Sequence, residues 1–151
     1  MERTLSIIKP DAMIKKVSGL IINRIEKEGF SIMAQKKLLL TKEQAKLFYR
    51  EHGGKSFFEE FTTYMSSFPI LVQVLEKENA VVSYRTLIGV TDPDQAAEGT
   101  LRKEFGTSIS HNAIHGSDSI ESAFREIRFF FSTMELIESA GDNWKQILSY
   151  N

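Results

Sequence analysis

The order of the apolar segments is the feature that most constrains the fold of this chain. Strand-like segments cover residues 4–9, 30–40 and 69–76, and a further one leads up to His115. Segments with the three- to four-residue spacing of helices separate them. Taken as β-α-β-β-α-β with insertions, this order predicts an α+β protein with a ferredoxin-like sandwich, in which helices cover a four-stranded antiparallel sheet.

The length of 151 residues suits a single domain over residues 1–151. We expect residues 132–151 to form a C-terminal tail packed on this domain, with Trp144 as its anchor. Hydrophobic residues make up 42% of the chain, which excludes a disordered protein. The net charge of −1 leaves no overall basic field for nucleic acid, so any anion site must be a local cluster.

The chain contains no cysteine, which excludes disulfides, thiol nucleophiles and cysteine-ligated zinc. Its first residues lead into a strand rather than into the apolar core of a signal peptide. No apolar run approaches the ~20 residues of a membrane span. We therefore expect a soluble protein with a cytoplasmic location and no membrane partner.

The main candidate for a functional site is the octamer NAIHGSDS at residues 112–119. We expect Gly116 to allow a tight turn directly after His115. Residues 117–119 are good helix caps, and a periodic apolar helix follows them. The histidine then lies near the positive end of a helix, where a phosphate is favoured and an imidazole can attack it. The ordinary alternative is a turn or core histidine without chemistry.

Polar and cationic side chains at other loop edges are candidates for holding an anion. Lys9 ends a strand, Arg85 lies on a short helix, and Thr91 and Arg102 belong to a long irregular stretch over residues 91–110. Loops of that length in small domains are usually functional or disordered. The alternative for each is a solvated side chain. We expect His52 to be a loop residue without a chemical role, and we expect His111 to face solvent.

Phe57 begins an aromatic stripe at helical spacing that continues to Tyr64. Such stripes usually belong to the core. Because Phe57 follows a glycine-rich loop, it is also a candidate platform on which a base stacks. Glu126, two helical turns after the octamer, is either a solvated helix residue or a carboxylate that orients His115.

Two segments carry a resemblance to the nucleoside diphosphate kinase family. TLSIIKPD at residues 4–11 is similar to the family's opening strand and lysine, and NAIHGSDS at residues 112–119 is similar to its active-site signature. The resemblance runs from about Glu2 to Phe131. The segments at 98–100 and 83–85 are more similar to bacterial members.

The resemblance implies a reaction and a role for each matching residue. His115 takes the γ-phosphoryl group of a nucleoside triphosphate and passes it to a nucleoside diphosphate, by a ping-pong mechanism with little base specificity. The positions that match catalytic residues are His115, Lys9, Glu126 and Ser117. The positions that match nucleotide-binding residues are Lys9, Tyr49, Phe57, Arg85, Thr91, Arg102, Ile109 and Asn112.

The resemblance also implies a cofactor and an assembly. Mg²⁺ is the expected cofactor, held mainly by the nucleotide phosphates and by Asp118 through water. The expected partners are nucleoside triphosphates and diphosphates, including ATP and GTP, and further copies of the chain in a tetramer or hexamer. Two alternatives to an enzyme remain open: an RNA-binding sheet of similar fold, and a family member retained as a structural or regulatory protein. The first requires a basic, aromatic sheet face, and the second predicts the loss of His115, Lys9 or an arginine.

Overall fold

The structure, a computed structural model, describes residues 1–137. Its four strands are β1 (Glu2–Ile8), β2 (Ser31–Leu38), β3 (Ile70–Lys77) and β4 (Ile114–Gly116). They form one sheet in the order β2-β3-β1-β4, and every neighbouring pair is antiparallel. The predicted four-stranded antiparallel sheet is thus confirmed.

Seven α-helices connect and cover these strands within the described residues: α1 (Pro10–Ile14), α2 (Ser18–Lys27), α3 (Lys42–Phe48), α4 (Phe58–Met65), α5 (Ala80–Ile88), α6 (Leu101–Phe105) and α7 (Ile120–Phe130). Short 3₁₀ turns follow α3 at Arg50–His52 and α7 at Thr133–Glu135. The sequence TKEQ at residues 41–44 predicts a capping box before α3. The box is present, because Thr41 Oγ1 accepts a hydrogen bond from the amide of Gln44 and the Gln44 side chain accepts one from the amide of Thr41.

The sheet is buried on both faces, and this explains why its central strands are apolar at nearly every position. Successive side chains of a strand point to opposite faces. Ile8 therefore packs in a core with α2 and α5, whereas Ile7 packs in a second core with α3, α4 and α7. Both side chains are fully buried. Helices therefore cover both faces of the four-stranded sheet.

The sequence predicts that Pro10 and Asp11 end the first strand and that Ser18 caps the next helix, and the structure corrects both local predictions. Pro10 and Asp11 do not simply end β1, because they begin the five-residue helix α1 with proline in its first turn. A proline is favoured there, since its missing N–H would have no partner within the helix. Ser18 is the first residue of α2 rather than its cap, and Val17 precedes it.

The first part of the expected C-terminal tail packs on the domain. The amide of Ile137 donates to the carbonyl of Met33 at 3.3 Å, and Arg3 Nη2 donates to the carbonyl of Ile137 at 2.8 Å. Leu136 contacts the second core. Trp144, the predicted anchor, lies outside the described residues. Within residues 1–137 no helix has the length and apolar character required to cross a membrane.

Candidate active site

A cleft of about 610 Å³ collects residues from distant parts of the chain. Its lining includes the end of β1, the segment from α3 to α4, the long loop before β4, the strand β4 itself and the helix α7. The predicted site residues in its lining are Lys9, Tyr49, Phe57, Arg85, Thr91, Arg102, Ile109, Asn112, His115, Asp118 and Glu126.

His115 is held at the wall of this cleft by a carboxylate. It lies on β4 opposite Ile7 of β1, so the sheet fixes its backbone. Its Nε2 lies 2.9 Å from Glu126 Oε2, and the two side chains are only 19% and 12% exposed. The rings of Phe48 and Tyr49 contact the imidazole edge to face at 5.7 and 6.0 Å. With Nε2–H donating to Glu126, the other ring nitrogen, Nδ1, carries the free lone pair.

Ser117 supports the carboxylate from behind the cleft. Its hydroxyl donates to Glu126 Oε2 at 2.7 Å and accepts the amide N–H of Leu5 at 3.2 Å. Burial raises the pKa of Glu126. The hydrogen bond and charge of His115 and the hydrogen bond from Ser117 lower it by more, so the pKa of Glu126 falls below its ordinary value. Glu126 is therefore an ionised acceptor that fixes one imidazole tautomer.

Lys9 and Asn112 form a buried polar pair beside the histidine. Lys9 Nζ donates to Asn112 Oδ1 at 2.7 Å, and the Asn112 amide donates to the carbonyls of Thr91 and Ile109, both at 2.9 Å. Burial, reinforced by the charge of Arg102, lowers the pKa of Lys9 to about 7, against the opposing charge of Asp11. An anionic ligand would stabilise the charged form of a buried lysine of this kind.

Arg102 is anchored by backbone oxygens. Its Nη1 donates to the carbonyl of Gly89 at 2.9 Å and its Nη2 donates to that of Ile114 at 3.2 Å. Its Nε is buried and has no hydrogen-bond partner among the described residues. Burial and the charge of Arg85 lower the pKa of Arg102 to about 10. The two guanidiniums repel each other unless negative charge lies between them.

Tyr49 presents a second unsatisfied polar atom. Its ring is buried, and its hydroxyl has no hydrogen-bond partner in residues 1–137. Burial, together with the charge of Glu126, raises the pKa of the phenol, so the group is a hydroxyl donor at any physiological pH. A buried hydroxyl at a cleft wall without a protein partner is well suited to a polar group of a ligand.

The opposite end of the cleft is apolar and open. Phe57 is 45% exposed and Ile109 is 60% exposed. Phe57 therefore does not belong to the core, and the stacking alternative for this residue is the one consistent with its position. Arg85, Thr91 and Asp118 are also exposed at the cleft surface.

Glycine is required at position 116 for a different reason from the expected tight turn. Its φ is not positive, so no tight turn requires glycine there. A Cβ atom at this position would lie 2.8 Å from Tyr84 Cδ1 and 3.0 Å from Ile88 Cδ1. The glycine therefore lets α5 pack closely against β4. Of the three expected cap residues, Ser119 is the one that caps α7, by accepting the amide N–H of Ser122.

The model of the nucleoside diphosphate kinase family matches residues 2–136. The chain belongs to the nucleoside diphosphate kinase family. Among the relatives, a nucleoside diphosphate kinase of Sorangium cellulosum is 53% identical over 140 residues, which cover 93% of this chain and 97% of that protein. One of Pasteurella multocida is 54% identical over 136 residues, covering 90% and 98%. Both relatives are bacterial, as the resemblance predicted.

Solved structures of the family share the fold. A crystal form of the Aquifex aeolicus nucleoside diphosphate kinase superposes with a TM-score of 0.89 at 47% identity, covering 90% of this chain and 99% of that one. A halophilic nucleoside diphosphate kinase from Halobacterium salinarum, solved in complex with CDP, gives a TM-score of 0.90 at 34% identity and 97% coverage of both chains. The expected fold and family are confirmed. The chain is a phosphotransferase of this family, which acts through a phosphohistidine.

Sequence reasoning underestimated three residues of the site. His52 lines the cleft, although it was expected to be a loop residue. Glu51 and Arg125 also line it and form an ion pair of 2.7 Å between Glu51 Oε1 and Arg125 Nη1. No local pattern distinguishes these residues from ordinary polar loop or helix residues, because their place in the cleft depends on tertiary packing. Ser117 was expected to help orient His115. Its side chain does not line the cleft, and it donates a hydrogen bond to Glu126, the carboxylate that contacts His115.

Proposed function

We propose that His115 is the nucleophile of the phosphoryl transfer. The observation that carries this is the 2.9 Å contact of its Nε2 with Glu126 at the wall of the cleft. That contact leaves the lone pair of Nδ1 to attack the γ-phosphorus of a nucleoside triphosphate. A nitrogen–phosphorus bond forms, the bond to the bridging oxygen breaks, and the nucleoside diphosphate leaves. A second nucleoside diphosphate then attacks the phosphohistidine in the reverse sense.

The cationic residues supply the electrostatic part of the reaction. Lys9, Arg85 and Arg102 neutralise the charge of the phosphates, and the burial of Lys9 and Arg102 makes their interactions stronger than in water. Thr91, Asn112 and the Tyr49 hydroxyl hold phosphate and ribose oxygens. Phe57 and Ile109 hold the base between them. This division is supported by the unsatisfied Tyr49 and Arg102 atoms described above, which a bound nucleotide would satisfy.

Mg²⁺ is the proposed cofactor. In residues 1–137 no group of three His, Asp or Glu side chains is arranged to hold a metal ion by itself. Asp118 is an exposed carboxylate at the cleft, whereas Glu126 is bound to His115 and Glu51 to Arg125. Hydrogen bonds from Ser122 and Ser119 help to lower the pKa of Asp118. One carboxylate together with substrate phosphates is a usual donor set for Mg²⁺. When bound, the ion would supply charge neutralisation at the phosphates, and Asp118 would help to hold it through water.

Intact-protein mass spectrometry after addition of ATP and Mg²⁺ tests the nucleophile. We expect one phosphoryl group per chain, labile in acid and stable in base, and none in His115→Ala. The exposed His111 is the matched control, so His111→Ala should be labelled like the original protein. Labelling of His115→Ala at a similar level would remove His115 from this role.

Initial-rate kinetics test the mechanism independently. One histidine that serves both half-reactions gives ping-pong kinetics, with parallel lines in double-reciprocal plots. Intersecting lines would indicate a ternary complex and would contradict the covalent route. Omission of Mg²⁺ should abolish both half-reactions.

The proposed assembly is a homo-oligomer, a tetramer or a hexamer. Strand β2 is at the edge of the sheet, and Leu20 and Leu39 are large apolar residues that remain 57% exposed. Unpaired strand edges and exposed apolar residues favour association. Sedimentation velocity should show a species of four or six chains, and a monomer at micromolar concentration would contradict this. A cytoplasmic location is proposed as well, since a chain without cysteine fits a reducing compartment.

A further inference from the structure

One part of the site is unexplained by the roles given above. Ala113 lies between Asn112 and Ile114 with φ of 68°, in the left-handed region that favours glycine. Strained backbone of this kind persists only where the surrounding structure holds it. Because Asn112 lines the cleft and His115 follows two residues later, the Ala113 peptide sets the relative position of both side chains.

Contacts from Asp11 and Lys9 hold the Ala113 peptide on both sides. The amide N–H of Ala113 donates to Asp11 Oδ2 at 3.0 Å. The carbonyl of Ala113 accepts the backbone N–H of Lys9 at 2.9 Å. The residues that form hydrogen bonds with the strained peptide therefore come from the end of β1 and the start of α1, about a hundred residues away in the sequence.

Asp11 is itself fixed by a tyrosine. Tyr64 of α4 donates its hydroxyl proton to Asp11 Oδ1 at 2.6 Å, and its oxygen accepts the backbone N–H of Asp11 at 3.3 Å. Burial, then the hydrogen bond and charge of Asp11, raises the pKa of the Tyr64 phenol, so it remains a donor. Each carboxylate oxygen of Asp11 thus has one defined partner, and neither Asp11 nor Tyr64 lines the cleft.

We propose that Asp11, held by Tyr64, is a positioning residue that keeps the Ala113 peptide left-handed and so places Asn112 and His115 for phosphoryl transfer. This rests on the proposed role of His115. The carboxylate acts at a distance from the substrate, through backbone geometry. Its negative charge also opposes the effect of burial on Lys9, which supports the same end of the cleft.

The test is a set of variants measured by the rate at which ATP and Mg²⁺ phosphorylate the protein. Loss of geometry at a reacting centre can cost about a hundredfold, and we expect this order of loss in Asp11→Ala. Asp11→Asn keeps an oxygen that can accept the Ala113 N–H, so it should lose less. Asp94→Ala, an exposed loop carboxylate, is the matched control.

A second substitution separates positioning from general stability. Glycine adopts the left-handed region without strain. In an Ala113→Gly background, Asp11→Ala should therefore cost less than about tenfold, whereas a carboxylate needed only for stability would give equal losses in both backgrounds. Equal losses, or a normal rate in Asp11→Ala after correction for the folded fraction, would overturn the proposal.

Tyr64→Phe keeps the test decisive if Asp11→Ala does not fold. It removes the hydroxyl that donates to the Asp11 carboxylate and should slow phosphorylation about tenfold, near the lower limit for a hydrogen bond to a charged group. The loss should shrink in the Ala113→Gly background, and an unchanged rate would count against the proposal. Failure of the His115 role is distinguishable, because it would leave the original protein without a phosphoryl group or leave His115→Ala labelled, whatever residue stands at position 11.

Discussion

The two ends of the cleft are built in opposite ways. At the phosphate end, Lys9, Arg102 and Asn112 are 5%, 7% and 2% exposed, and each is tied by hydrogen bonds to a partner inside the protein. At the base end, Phe57 and Ile109 are 45% and 60% exposed and offer apolar surface. One end is buried, charged and hydrogen-bonded, and the other is open and apolar.

This difference predicts how binding energy is used. Burying a cation costs desolvation free energy when the protein folds, but a cation that is already in place needs no reorganisation when charge moves during the reaction. They stabilise the transition state more than the ground state, so they act mainly on kcat. An exposed aromatic surface holds the base equally in both states and acts mainly on KM. The two ends should therefore be separable by kinetics.

The largest effect is expected at the phosphate end. Lys9→Ala and Arg102→Ala should each lower kcat by about 10²–10³, the usual effect of losing one preorganised donor. Both effects on turnover should be far larger than the effects on stability. Melting temperature and turnover of the folded fraction are measured together, with the exposed Lys37→Ala as control. A large loss of stability with near-normal turnover would mean that these side chains are structural.

The second effect is a pH dependence that Lys9 introduces into stability. Its pKa is about 7 in the folded protein and 10.5 when unperturbed, so the unfolded chain binds more protons between these values. The free energy of unfolding should therefore rise with pH in this window, by at most about 1.4 kcal/mol per pH unit. Below pH 7 the lysine is charged in both states, and the full cost of burying it is present.

Lys9→Met removes this contribution and provides the measurement. Its free energy of unfolding minus that of the original protein should be largest at pH 6–7 and should fall steadily towards pH 10. Saturating ADP should flatten the pH dependence of the original protein, because phosphates favour the charged lysine. A difference that is independent of pH would show that Lys9 is not perturbed by burial.

The contrast between the ends also explains what could be predicted from the sequence. The apolar strands and the capping box at Thr41 depend on local patterns, so the fold was predictable. Helix α1 was not predictable, because a proline and an aspartate after a strand are typical of a turn as well as of the first turn of a helix. Gly116 was correctly selected for the wrong reason, since a sequence does not distinguish a glycine required by φ from one required by packing. The contacts of Asp11 with Tyr64 and Ala113 join three distant segments and have no local pattern.

A smaller effect is expected at Phe57. The ring is half exposed, and stacking on an aromatic contributes ~1–3 kcal/mol per base. Phe57→Ala should therefore raise KM for nucleotides about tenfold, near the lower limit of that range, and leave kcat at saturation within about twofold. A loss of kcat comparable to that of Lys9→Ala would break the proposed division between the two ends. The exposed Phe68 provides the control variant Phe68→Ala, because it does not line the cleft.

The smallest effect is expected for exchange of the base itself. Strong discrimination requires buried polar groups that pair with particular edges of the base, and an unpaired group on the protein then rejects the wrong ring. Phe57 and Ile109 offer only apolar surface, which every base can contact. The phosphates and ribose, by contrast, have many candidate partners at the buried end. We therefore expect kcat/KM for ADP, GDP, CDP and UDP, measured with one phosphoryl donor, to lie within about tenfold, with a purine advantage from the larger stacking area. A preference above about a thousandfold would exceed what stacking alone provides, and it would mean that a polar residue at the open end reads the base.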